Sequence, residues 1–246
     1  MWVLRYQSLD WQWSRRCGKI KSRDGVQELA AMATILSLPE QRVLLKNIDW
    51  HTYEDLLAAH RDSAAPRFTY DRGSLEIMSP SAEHEEAKDT ITLLVNVWAE
   101  ENEIDIRSFG STTFRREDLA RGFEPDACFY MQSVDLIKGR SDLSLPVDPP
   151  PDLVIEIDIT SSSIDKLAIF ARVGVSEVWR YDGQQTSIFR LDGQTYSTSP
   201  VSISLPGLAA DLISSLVQES RTMRRPDWLR RVRNFCRVRN FCRPQP

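Results

Sequence analysis

Two short runs in this 246-residue sequence have no polar side to turn toward water, and they constrain the fold more than any other feature. Leu153-Val154-Ile155-Glu156-Ile157-Asp158-Ile159 is apolar except for two acids, and Ala127-Cys128-Phe129-Tyr130-Met131 is apolar nearly throughout. A strand of this kind needs side chains packed above and below it, so both runs belong inside a sheet covered on two faces. The covers are readable as well. Ala82 to Glu101 carries Ile91, Leu94, Val95 and Trp98 as one helical stripe. Ile164 to about Val173 reads as a second helix, with caps offered by Ser161-Ser162-Ser163 and a stop at Gly174. The expected class is α/β, a central mixed β-sheet flanked by these helices.

Shorter elements fill in around them. Thr52 is an N-cap candidate for a helix running to His60, with acids in its first turn. Arg67–Asp71 and Ser74–Met78 alternate and join at Arg72-Gly73 as a hairpin. Ile104–Arg107 and Thr112–Arg115 read as strands. Glu177–Tyr181 and Thr186–Leu191 form a second hairpin through Asp182-Gly183, and a last helix spans Leu208 to Glu219.

Charge narrows the function classes. The formal net charge of -4 divides unevenly, with 22 Lys+Arg against 34 Asp+Glu in residues 1–220 and 9 against 1 in residues 221–246. An acidic body does not bind a polyanion through its whole surface, so any such site is local and uses metal ions to offset repulsion. Residues 1–31 read as an N-terminal extension, disordered or preceding a true start at Met32. Residues 32–220 read as the domain and 221–246 as a basic Arg-rich tail, in which Val232–Arg237 is duplicated as Val238–Arg243. No apolar run approaches the roughly 20 residues that cross a bilayer, so a cytoplasmic protein without a membrane partner is expected. Cys17, Cys128, Cys236 and Cys242 lack CxxC spacing and read as reduced thiols.

The acids in the buried strand need a reason to be there. Hydrolysis of a phosphodiester requires an activated water and positive charge on the developing phosphorane, and a carboxylate-held Mg²⁺ supplies both. Glu124-Pro125-Asp126 delivers one carboxylate at a strand start, and Glu156 delivers another from the middle of a strand. Asp158 projects from the same side as Glu156 and is either an assisting metal ligand or a hydrogen-bonding partner of the loop from Thr160 to Ser163. Position 158 is where a cation would complete an E-x-K arrangement. Lys166, in the first turn of the next helix, reaches back to replace it. Lys88, Arg115 and Arg116 are candidates to steady the phosphates.

Glu124-Pro125-Asp126, the run Pro149–Thr160, Asp165-Lys166-Leu167, Gly174–Trp179 and Leu75–Pro80 with His84 together resemble the Uma2 family of restriction endonucleases, within the PD-(D/E)XK nuclease superfamily. The resemblance runs from about Leu38 to Leu216. It implies a restriction-endonuclease-like core, Mg²⁺-dependent DNA cleavage with Mn²⁺ as a substitute, and an active site of Asp126, Glu156 and a lysine displaced onto the following helix. DNA is the implied partner, and a homodimer is the natural arrangement for cutting two strands. The alternative is a nuclease fold kept as a non-catalytic DNA- or protein-interaction module.

Other motifs fail. His84-Glu85 opens like a zincin helix, but position 88 is Lys; Ser163–Lys166 matches S-x-x-K without its companion motifs. His84 then reads as a cap or surface residue, and Glu76 and Glu86 as solvated acids.

Overall fold

The computed structural model describes residues 40–60 and 65–241, with side chains through residue 236. The N-terminal extension, Cys17 and Cys242 lie outside the described residues. Five helices are described here: α1 (Trp50–Ala59), α2 (Ala82–Glu101), α3 (Lys166–Val173), α4 (Ala210–Ser220) and α5 (Arg225–Phe241). Among the described residues no helix is long and apolar enough to cross a membrane.

The strands, numbered in chain order, fall into two sheets. The mixed sheet has the order β11 (Thr195–Ser199), β10 (Thr186–Asp192), β9 (Glu177–Tyr181), β8 (Leu153–Ile157), β7 (Ala127–Tyr130) and β4 (Arg107–Gly110). Only β8 and β9 run parallel in it, with α3 as their crossover. The doubly apolar runs are thus β7 and β8 in its interior, as the pattern requires. Leu153, Ile155 and Ile157 face a core shared with Ile91, Leu94 and Trp98 of α2, Leu216 of α4 and Trp228 of α5. Val154 and Cys128 face the opposite way, against Ile169 and Phe170 of α3. The period of two therefore places residue 156 on the α3 side.

The second sheet is antiparallel, in the order β1 (Gln41–Lys46), β3 (Ser74–Ser79), β2 (Arg67–Asp71), β6 (Arg121–Phe123) and β5 (Phe114–Arg116). The β2–β3 hairpin turns at Arg72-Gly73, both at positive φ (47° and 88°), as a tight hairpin needs. Tyr53 of α1 packs with Phe68, Tyr70 and Leu75, and stacks on Tyr70 at 4.8 Å.

Several local expectations are corrected. Asp49, not Thr52, caps α1, accepting from the Thr52 amide at 2.7 Å. Asp165, not a serine, caps α3 by accepting from the Ala168 amide at 3.2 Å, while the Ser162 hydroxyl and the Ser163 amide donate to Glu76. The strand expected at Ile104–Arg107 begins only at Arg107, since the Ile104 amide closes the end of α2 on the Ala99 carbonyl at 2.9 Å. The one expected at Thr112–Arg115 begins at Phe114, because the Thr112 hydroxyl turns back to the Phe109 carbonyl. The largest correction concerns the basic tail. Residues 225–241 are helical, and Trp228, Val232 and Cys236, spaced by four, are buried against α2 and α4. The Trp228 ring N–H donates to the Leu216 carbonyl at 2.7 Å.

Candidate active site

Ladder register positions the first two acids. Ala127 pairs with Ile155 and Cys128 with Val154, so the next step along the antiparallel pair sets Asp126 opposite Glu156. The Ile157 amide donates to Asp126 Oδ2 at 2.6 Å, which ties that carboxylate to the residue following Glu156. Both acids are buried, at 2% and 5% exposure.

Glu156 is met from the helix. Lys166 is the first residue of α3, and its Nζ donates to Glu156 Oε2 at 2.5 Å. Lys166 therefore meets Glu156 from the helix, a different backbone position from residue 158. Gly174 ends the same helix at φ 94°, a conformation that favours glycine, and its amide donates to the Phe170 carbonyl at 2.9 Å. Glu156 Oε1 is different: it is buried and, among the described residues, has no hydrogen-bond partner. Leaving a buried acceptor unmet costs about 1–3 kcal/mol, more when it is charged.

Asp126 is held from another direction. Its Oδ1 accepts from His84 Nε2 at 2.8 Å and pairs with the Arg67 guanidinium. His84 Nδ1 faces Glu40 Oε2 at 2.7 Å, so the ring is held between two carboxylates. Burial alone would raise the Glu40 pKa, but hydrogen bonds from His84 and Thr160 and the charge of Arg42 outweigh it and hold it at about 2. Arg67 also pairs with Glu85 at 2.7 Å, whose carboxyl lies below its ordinary range: burial opposes the shift, and the Lys88 bond and nearby Arg67 overcome it.

Glu156, Asp158, Asp165, Lys166 and Arg180 line a cleft of about 310 Å³ between α3 and the carboxyl ends of β8 and β9; Asp126 is not part of that lining. Asp158 turns toward the Ser162 amide at 3.2 Å and stands 3.7 Å from Arg42. Among the described residues no group of three or more His, Cys, Asp or Glu side chains is arranged to hold a metal ion. The expected trio of Asp126, Glu156 and Asp158 is therefore not brought together.

The family model described as "Uma2: Putative restriction endonuclease" matches residues 50–219. The chain belongs to the Uma2 family. Among solved structures it is similar to the crystal structure of a putative nuclease belonging to DUF820 from Anabaena variabilis ATCC 29413. That similarity is 17% in sequence with a TM-score of 0.45, over 62% of this chain and 92% of the other. No curated protein matches it.

In this Uma2 member the expected phosphate-binding cations are engaged or placed elsewhere. Lys88 bonds to Glu85, and Arg116 is held by Asp118 through two bonds of 2.8 and 2.7 Å. Arg115 lies on the antiparallel sheet, 3.6 Å from Glu54, and lines a separate cavity with Glu124. In that cavity burial raises the Glu124 pKa, although Thr113 and the Phe68 amide donate to it. Glu86 is exposed as expected. Glu76 and His84 are not: Glu76 is 1% exposed and accepts from Arg42, Ser162 and Ser163, while His84 is 0% exposed between Glu40 and Asp126. Sequence reasoning missed Glu40, Arg42, Arg67 and Arg180. Arg180 alone left a signal, since it stands two residues past Val178 on a strand of alternating pattern.

Proposed function

We propose that this chain is a divalent-metal-dependent endodeoxyribonuclease that hydrolyses DNA phosphodiester bonds. In this proposal Asp126 and Glu156 hold Mg²⁺, or Mn²⁺ in its place, and Lys166 serves the attacking water. The observation that carries it is Glu156 Oε1, a buried carboxylate oxygen without a donor among the described residues, beside an Oε2 already taken by Lys166. A cation at Oε1 would remove the cost of leaving it bare. The donor set fits a hard ion that takes few protein oxygens and keeps most of its own waters, since register supplies two carboxylates and not three.

When bound, such an ion supplies positive charge to the developing phosphorane and acidifies water. The chain's own residues do the remaining work. Lys166, fixed on Glu156, keeps an ammonium at the cleft wall where it can stabilise a hydroxide or hold a water in line. Arg67 and His84 hold Asp126 in one orientation and the Arg67 guanidinium offsets its charge, so two acids can share one end of β8 without expelling each other. Cutting both strands takes two such sites, which a homodimer would supply.

Nicking of supercoiled plasmid in Mg²⁺, Mn²⁺ and EDTA tests this. Wild type should nick only with the ions, and Glu156→Ala and Lys166→Ala should each lose at least about a hundredfold. Equal nicking by all three proteins would assign the cleavage to a contaminant and overturn the proposal.

One observation favours a second reading. Both oxygens of Asp126 already accept from protein donors, and it does not line the cleft. On that reading the fold is a DNA- or protein-interaction module and the network is structural bracing. DNA retention would then be the same with and without divalent ion and insensitive to Glu156→Ala.

A further inference from the structure

We propose that Arg180 is the phosphate-binding residue of the cleft, holding a nonbridging oxygen of the DNA backbone beside Glu156; this rests on the nuclease reading and adds a substrate contact to it. Register comes first. Glu156 pairs with Arg180 across the parallel strands, as Val154 pairs with Val178. Val154 and Val178 share the α3-side core, so Glu156 and Arg180 project together toward the same cleft, at the carboxyl ends of a parallel pair.

Charge comes second. The lining carries three carboxylates, Glu156, Asp158 and Asp165, against two cations, Lys166 and Arg180. Lys166 is committed to Glu156. Arg180 is exposed, and among the described residues no carboxylate lies within 4.0 Å of its guanidinium. Its carbon Cζ sits 5.3 Å from the centre of the Phe189 ring. That contact steadies the guanidinium without using a hydrogen-bond acceptor, and arginine's planar fork of N–H donors is suited to gripping phosphate with two parallel bonds. Lys88 and Arg116 have their donors on carboxylates, and Arg115 lies at another cavity. Among the described residues the cation beside Glu156 with no carboxylate within 4.0 Å is therefore Arg180.

The test uses the full chain and a labelled DNA duplex. Anisotropy is read across a salt series in Ca²⁺, and cleavage in Mg²⁺, for wild type, Arg180→Gln, Arg180→Lys and Arg190→Gln, the last an exposed arginine on β10 outside the cleft lining. Arg180→Gln should weaken binding about tenfold and reduce the salt slope by about 1, with an unchanged melting temperature. Arg180→Lys should keep the slope while binding less tightly than wild type, and Arg190→Gln should match wild type. A wild type that binds and cuts, beside an Arg180→Gln with the same affinity and slope, overturns the assignment of Arg180 alone. A wild type that neither binds nor cuts DNA with any divalent ion overturns the nuclease reading and this inference with it.

Discussion

Replacing Lys166 with methionine should cost more stability than replacing its partner, and the size of the difference follows from the geometry. Glu156 is 5% exposed; among the described residues one of its oxygens has no partner and the other has Lys166. Lys166→Met strips the second oxygen as well and leaves an uncompensated buried charge, a loss of about 3 kcal/mol. Glu156→Gln removes the charge, and Lys166 at the open end of α3 can turn its ammonium to water, so that loss should be about 1 kcal/mol. The assay is urea unfolding in EDTA. With a slope of about 2.5 kcal/mol/M, Lys166→Met should lower the midpoint by about 1 M, and the double variant should recover most of it. Mg²⁺ at about 100 times its Kd should return roughly 2.7 kcal/mol to Lys166→Met and much less to the double variant. A Lys166→Met midpoint within about 0.2 M of wild type would refute the claim that Glu156 is a buried charge held by one lysine.

Trp228→Ala should lower stability by about 3–5 kcal/mol, seen in the same urea assay, because the indole is 0% exposed and its N–H bonds to Leu216; a small loss would return residues 225–241 to the status of a tail. Glu40→Gln should flatten the acid limb of stability. The folded-state pKa is depressed to about 2 from the ordinary 4.5, so the contribution is complete above about pH 4.5 and drains away as pH falls toward 2; melting temperatures of the two proteins between pH 6 and pH 2.5 check this. Gly122→Ala would place a methyl inside the contact radius of the buried Tyr53 phenol, and should cost about 1–3 kcal/mol in thermal melting.

The parts of this fold that were legible in the sequence are those whose pattern is local. β7, β8 and α2 follow from runs and stripes that any packed sheet requires, and the β2–β3 hairpin from alternation around Arg72-Gly73. β1 was not legible because Val43, Leu44 and Leu45 are consecutive and exposed on an edge strand, and β6 because it is three residues around Gly122. α5 left a usable signal in Trp228, Val232 and Cys236, which the arginine count obscured. The positions of Asp126, just before β7, of Glu156, within β8, and of Lys166, at the start of α3, were legible because each is tied to a patterned element. The network behind Asp126 was not, since Glu40 and Arg67 reach His84 across 44 and 17 residues, and Arg42 reaches Glu76 across 34. No periodicity encodes such pairs. For Asp158 spacing left two readings, a ligand or a partner of the following loop, and the Ser162 amide donates to its carboxylate once the strand has ended.

The claim on which the account stands is that the bare oxygen of Glu156 and the carboxylate of Asp126 receive a divalent cation. Mn²⁺ binding to the full chain, followed by electron paramagnetic resonance without DNA, measures it directly. One ion per chain in wild type, lost in Glu156→Gln and in Asp126→Asn, is the predicted result. Unchanged binding in both variants, or none in wild type up to millimolar Mn²⁺, would contradict it.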